Sequence, residues 1–453
     1  MLRRLCCLCL TVFSLLTAIP SPSSTVANKP VGAGLVPARV SLNEGGQPLH
    51  SLSAASILGE RGGALWPGSR FTEQDRERAI MRGLQFIYRT ALVRKNFEDY
   101  GHDYLWCFYT LSTAVKDERV RREAHRMGLE RAHEWRREHH SVPLSADATL
   151  ISELVFGNDA AESLGLKDEK FKEELKQIAP RFKARSYLLF DPLTEPPPED
   201  VPDMCDYCGA ETNSRGSLVC HVCKHRLKMR TRYDVWYDAL ITTYTGDRTG
   251  IPLGAHYVDV LKWLPTLRPY HAKPSAKGVG EFYDIVYAIT HIVYTLNNYS
   301  QYRLSPQLLP QEFEFLKANL REAIREKDTD MLGEFMDTLR AFGLTTNDSL
   351  IRRGMEFYLT HQNADGSWGK RREKDIYLRY HPTWNAIAGL SEYAWVAGEG
   401  LSFPEVRPLL EQWANESPKS SIESPLVHTP LLSALDDQTS LLPLVACRPV
   451  VAR

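Results

Sequence analysis

The chain has 453 residues, 43% apolar and 25% charged, which is the make-up of a packed globular protein with room for one large domain and a small one. A formal net charge of −1 argues against bulk affinity for nucleic acid. No apolar run reaches the length of a membrane-spanning helix.

In chain order, Arg3-Arg4 is followed by Leu5 to Ile19, apolar or small throughout, then Pro20. Thr25-Val26-Ala27 offers a small-residue cleavage site, so residues 1–27 read as a secretory signal peptide. The alternative is an uncleaved anchor, although this stretch is short for a span. The expected destination is periplasmic or extracellular, with no span in the mature chain. Residues 28–69 are rich in Gly, Pro, Ser and Ala and read as a disordered lead-in.

Helices are expected from 72 to 180. Thr72 opens the first, with Asp75 at the capping-box distance. Residues 116–138 and 166–184 read as further helices, the former heavily charged and solvated. Residues 191–204 form a stiff, acidic, Pro-rich linker. Helices are then expected over 232–246, 251–263, 279–298, 310–326, 328–342, 348–361, 381–396 and 403–415. The tail, 417–453, reads as irregular. The fold class is therefore all-α, in two parts, 70–190 and 232–416, around an insertion at 205–231.

Removing the signal peptide removes Cys6, Cys7 and Cys9. Of the six cysteines left, Cys107 and Cys447 are singletons. The other four, Cys205, Cys208, Cys220 and Cys223, form two C-x2-C knuckles, which can hold zinc tetrahedrally. This spacing resembles a zinc ribbon, a structural site with no open coordination position. In an oxidising compartment the same thiols could form two disulfides, but paired knuckles are the metal pattern. Lys224, Arg226, Lys228, Arg230 and Arg232 alternate along a strand-like stretch. That pattern fits a nucleic-acid-binding edge or a solvated strand edge, and an exported protein favours the second.

Residues 353–368 contain Arg353-Gly354, Phe357, Gln362 and Gly366-Ser367-Trp368. This string resembles the QW motif of the terpenoid cyclase and protein prenyltransferase superfamily, with Tyr358 where an aliphatic residue is usual. The resemblance implies an α/α toroid of helical hairpins, with Gln362 and Trp368 as staples between helices rather than catalysts. Ile80-Met81-Arg82-Gly83-Leu84-Gln85-Phe86 is a weaker copy of 351–357, as repeated hairpins would give. The acid motif of class II cyclases, Asp-x-Asp-Asp, does not occur. Asp436-Asp437 lacks the context of a magnesium motif, and Cys107 and Cys447 lie in no prenyltransferase motif.

In such a toroid the site lies where inner helices begin. Three expected inner helices begin with a histidine: His102, His256 and His381. A fourth carries Asp284 and His291 seven residues apart on one face. Toroid closure would bring these five together as an acid–base constellation or as ligands of a second metal. The expectation is an exported enzyme acting at that mouth. The alternative is a non-catalytic protein that binds a small apolar molecule, peptide or glycan. A third reading is a polysaccharide-lyase-like enzyme using Arg379, Tyr380 and His381.

Overall fold

The computed structural model describes residues 63–202, 205, 218–271, 279–396 and 399–416. The signal peptide, most of the lead-in, Cys208, Cys447 and the tail lie outside the described residues. Residues up to Ala414 make one unit; of the other, Asn415–Arg453, only Asn415 and Glu416 are described.

The described chain is mostly helical, as the periodicity predicts. The first half holds α1 (Glu73–Ala91), α2 (Arg94–Ala114), α3 (Glu118–Glu138), α4 (Ala148–Ser163), α5 (Glu169–Ile178) and α6 (Ala184–Leu188). Strands β1 (Val201–Pro202) and β2 (Met229–Arg230) pair antiparallel, Val201 with Arg230 and Pro202 with Met229. They join the ends of the cysteine segment. The second half holds α7 (Arg232–Thr249), α8 (Tyr257–Leu261), α9 (Leu264–Leu267), α10 (Val279–Leu296), α11 (Pro310–Glu326), α12 (Thr329–Ala341), α13 (Ser349–His361), α14 (Tyr377–Leu390) and α15 (Arg407–Glu416).

Local chemistry sets many of these ends. Thr72 and Asp75 form a reciprocal capping box, with Asp75 N donating to Thr72 Oγ1 (3.2 Å) and Thr72 N to Asp75 Oδ2 (2.9 Å). Asp117, Asp147, Asp168, Asp328 and Asp348 accept from the first-turn amides of α3, α4, α5, α12 and α13. Gly250 ends α7 at φ 69°, in the left-handed region where glycine carries no Cβ penalty.

Several boundaries differ from the sequence reading: the helix expected over 166–184 ends at Ile178, that over 381–396 ends at Leu390, and that from 403 begins at Arg407. The helix expected over 251–263 is an irregular stretch followed by the short α8 and α9. The helix expected from His381 begins at Tyr377, so His381 and Pro382 sit inside α14. Pro382 marks a helix start by the usual rule, but packing extends this helix past it.

Packing sorts the helices into two classes. All residues of α12 are buried, as are most of α7, α10 and α14, so these are enclosed on every side. In contrast, α3, α5 and α13 bury one stripe. With α2 and α4, the enclosed helices contact one another in a cycle: α2 on α4, α4 on α7, α7 on α10, α10 on α12, α12 on α14, and α14 back on α2. The others lie against this series, with α1 on α14, α3 on α2 and α11 on α12.

The Gln and Trp of residues 353–368 tie α13 to α1. Gln362 Nε2 donates to Ala79 O (2.8 Å) and Gly366 O (3.0 Å), and its Oε1 accepts from Arg82 (3.0 Å). Trp368 Nε1 donates to Tyr358 O at 2.8 Å. The Trp368 ring lies so close to Gly83 that a Cβ there would meet it at 2.7 Å, which explains the glycine in the front copy of the repeat. Gly354, its counterpart, leaves the same kind of room for Met336 Sδ, 2.4 Å from an added Cβ.

Candidate functional site

A cavity lies among these helices. Its aromatic lining includes Trp106, Phe156, Tyr294, Tyr299, Trp384 and Tyr393; its polar lining includes His102, Asp103, His291, Glu334, Asp337 and His381. Among the described residues, no lysine or arginine lines it.

The polar groups come from helices whose other faces are apolar. On α12, Asp330, Glu334 and Asp337 recur at i, i+4 and i+7, a carboxylate stripe on a wholly buried helix. On α14, His381 and Asn385 recur at i and i+4, and α12 packs directly on α14. His381 Nδ1 meets Asp330 Oδ1 at 2.8 Å, and Asn385 Nδ2 donates to the same oxygen at 2.8 Å. Asn385 Nδ2 also reaches Glu334 Oε1 at 3.3 Å. From α10, Tyr287 donates to Asp330 Oδ2 (3.1 Å) and Thr290 Oγ1 to Glu334 Oε2 (2.5 Å). Tyr377 stacks on the His381 ring at 4.9 Å and fixes its plane. Tyr380 donates to Asp103 Oδ2 at 2.6 Å.

These surroundings drive the titrating groups apart. Burial lowers the pKa of His381, but the Asp330 charge and hydrogen bond outweigh it, with Asp103 and Glu334 adding, and hold His381 up at about 9. Burial pushes Glu334 well above the ordinary glutamate range, and the nearby Asp330 charge adds to this. Burial raises Asp337 to about 6 despite a hydrogen bond from Ser300. Burial lowers His291 to about 4 although its Nδ1 meets Tyr287 O at 2.7 Å. At neutral pH the wall therefore carries one charged imidazole (His381), two neutral imidazoles (His102 and His291) and a protonated carboxyl (Glu334). Such an arrangement can donate and accept protons at the same time.

A strained turn shapes the aromatic side. Asn298, Tyr299 and Ser300 are left-handed in succession (φ 53°, 50° and 65°), and none is glycine. This costs on the order of 1–2 kcal/mol per residue. Tyr299 N to Tyr294 O (2.8 Å), Ser300 N to Asn297 Oδ1 (2.9 Å) and Tyr244 OH to Asn298 Oδ1 (2.5 Å) hold the turn. It lays Tyr299 parallel to Tyr294 (5.8 Å, 16°) and edge-on to Trp106 (5.0 Å, 88°), and sets Ser300 Oγ 2.8 Å from Asp337 Oδ1.

The structure brings together three of the five residues picked from the sequence: His102, His291 and His381 all line the cavity. His102 follows a break at Tyr100 inside α2 rather than a helix start, and burial lowers its pKa. His256 does not join them. It is exposed at the N-cap of α8, where Nδ1 meets Asp247 Oδ1 at 2.9 Å, and that bond raises its pKa. Asp284 is buried one turn inside α10, accepting from Thr231 Oγ1 at 3.1 Å; burial and the Asp234 charge raise it to about 7. Asp284 shares a face with His291 but sits seven residues, roughly 10 Å, along the helix, outside the cavity lining. Asp103, Asp330, Glu334, Asp337 and Asn385 are not histidines at helix starts; the carboxylate stripe on α12 is the signal that marks Asp330, Glu334 and Asp337.

The second site is the cysteine segment. Cys205, Cys220 and Cys223 place their sulfurs within 4.8 Å of one another, a set that could hold a metal ion. Among the described residues this is the one such group of three His, Cys, Asp or Glu ligands, so the cavity histidines do not form a second. The described knuckle closes with Cys220 N on His225 O (2.8 Å) and Lys224 left-handed at φ 63°. Cys205 Sγ and Cys223 Sγ lie 3.4 Å apart. The basic stretch is no simple solvated edge. Arg230 turns inward to Asp234 Oδ2 (3.2 Å) and to Asp238, which lines the cavity, and the Lys228 ammonium is buried.

No protein-family model, curated protein or solved structure matches the chain.

The His381 shift fixes a sign for stability against pH. Its pKa is higher folded (about 9) than unfolded (6.5), so its contribution is full below about pH 6.5 and is lost as pH rises through about 9. Urea unfolding of wild type and His381→Gln should differ by about 3 kcal/mol more near pH 6 than near pH 10. An equal difference at both would show that His381 is not charged in the fold.

Proposed function

We propose that this chain is an exported enzyme whose cavity performs acid–base chemistry. The observation that carries this reading is the array Asp330–His381–Asn385–Glu334, which keeps one imidazole charged and one carboxyl protonated on a cavity wall. In it Asp330 orients and charges His381, and Glu334 is the proton donor. His291, neutral across the working range, is the complementary base. His102 and Asp103 complete the polar wall.

The cyclic order of helix contacts supports an α/α toroid, and the Gln362–Trp368 contacts are those expected of staples in that superfamily. Prenyl chemistry is not favoured. A diphosphate needs cations, and the cavity lining offers no lysine or arginine. A carboxyl with a raised pKa is a weak acid, suited to an oxygen or nitrogen rather than to an alkene. The lyase-like reading loses support because the lining offers no lysine or arginine to hold a uronate, and its charged imidazole, His381, is already paired with Asp330.

To test this, purified wild type and Glu334→Gln would be incubated with mixed metabolite, peptide and glycan extracts and followed by mass spectrometry. Wild type should consume at least one species that an equally folded Glu334→Gln leaves about a hundredfold longer. No turnover by wild type, or equal turnover by the variant, would leave the non-catalytic binding reading.

The cysteine segment is proposed as a structural zinc ribbon, with Cys208 as the fourth ligand of Cys205, Cys220 and Cys223. Elemental mass spectrometry of the purified chain should find one zinc per chain, lost in the double variant Cys220→Ser, Cys223→Ser. A metal-free chain with two disulfides would contradict it.

A further inference from the structure

The cavity walls restrict the ligand further than the acid–base reading does. A pure hydrocarbon would strip water from Asp103, Glu334, Asp337, Ser300 and Asn385 and offer them no hydrogen bonds in return. An anion would find no lysine or arginine in the lining. A cation would find Asp238 and Asp330 already paired with Arg230 and His381, while Asp337 and Asp103 accept hydrogen bonds from the neutral hydroxyls of Ser300 and Tyr380. A neutral molecule with apolar faces and several hydroxyls matches this mixture of aromatic rings and hydrogen-bond acceptors.

The aromatic wall has the matching form. Tyr299 and Trp384 are each half-buried and line the cavity, so their rings are reachable from it. The left-handed turn at Asn298–Ser300 holds Tyr299 against Tyr294 and Trp106 and places Ser300 and Asp337 beside that aromatic group. Flat aromatic surface next to hydrogen-bond acceptors suits a sugar ring, which has C–H faces and a hydroxyl rim.

We infer that the cavity takes a neutral oligosaccharide, with a sugar ring on the aromatic wall held by the Asn298–Ser300 turn and its hydroxyls on Asp337 and Asp103. This rests on the acid–base reading for its chemistry, but not for its binding. Tyr299 is then a specificity-determining residue, and the strain in the turn serves its placement.

The test is calorimetric titration of the full chain with cellohexaose, maltohexaose and chitohexaose, and with polygalacturonate, choline and farnesol as the charged and apolar alternatives. At least one neutral hexasaccharide should bind. Tyr299→Ala and, should that variant fail to fold, Trp384→Ala should weaken binding about tenfold or more. Binding of polygalacturonate, choline or farnesol in place of all three hexasaccharides overturns the inference, as does binding that both aromatic variants leave unchanged. A hexasaccharide that binds but is never altered by wild type would support the ligand class and sink the acid–base reading. Turnover of a different class of compound, without hexasaccharide binding, would do the reverse.

Discussion

The central constraint is that α12 buries three carboxylates, and a buried charge must be answered or protonated. Asp330 is answered by His381, Asn385 and Tyr287, each supplied by a neighbouring helix. Glu334 takes hydrogen bonds from Thr290 and Asn385, and Asp337 takes one from Ser300. These bonds dictate which faces of α10 and α14 turn towards α12. The same groups therefore fix the helix register and furnish the cavity. Removing one partner would leave a charge without compensation, so structure and chemistry in this wall are not separable.

Much of the helical frame was legible in the sequence, because amphipathic spacing and Asp or Thr caps act locally. The Thr72–Asp75 box and the run of α10 to α13 follow those rules. The exceptions have physical causes. Pro382 looks like a first-turn residue, but α14 begins at Tyr377, where burial of Tyr377 and Tyr380 extends it. The helix start read before His102 is a break within α2 at Tyr100. The Gln and Trp of residues 353–368 stood out because a staple needs particular side chains at particular turns, and Gly83 and Gly354 because nothing larger fits.

The site was less legible, since its pairings are long-range. His381 and Asp330 lie 51 residues apart, and no local rule joins them. Choosing histidines at helix starts reached His102 and His381, and the face of α10 reached His291. The same search also took in His256, which caps a surface helix beside Asp247. The carboxylate stripe on α12 was the better signal, because burial there has to be compensated. The cysteine segment shows the opposite case, with spacing alone foretelling that Cys205, Cys220 and Cys223 meet. What spacing did not foretell is that Arg230, just past the segment, reaches Asp234 and the cavity-lining Asp238, tying the insertion to the helical body.

The account depends most on Glu334 being a protonated acid in the folded protein. Carbon-13 NMR of the side-chain carboxyls, with Glu334 assigned by comparison with Glu334→Gln, reads this directly. The carboxyl should remain protonated through neutral pH and ionise well above the other glutamates. Titration near about 4.3, with the exposed glutamates, would contradict the account.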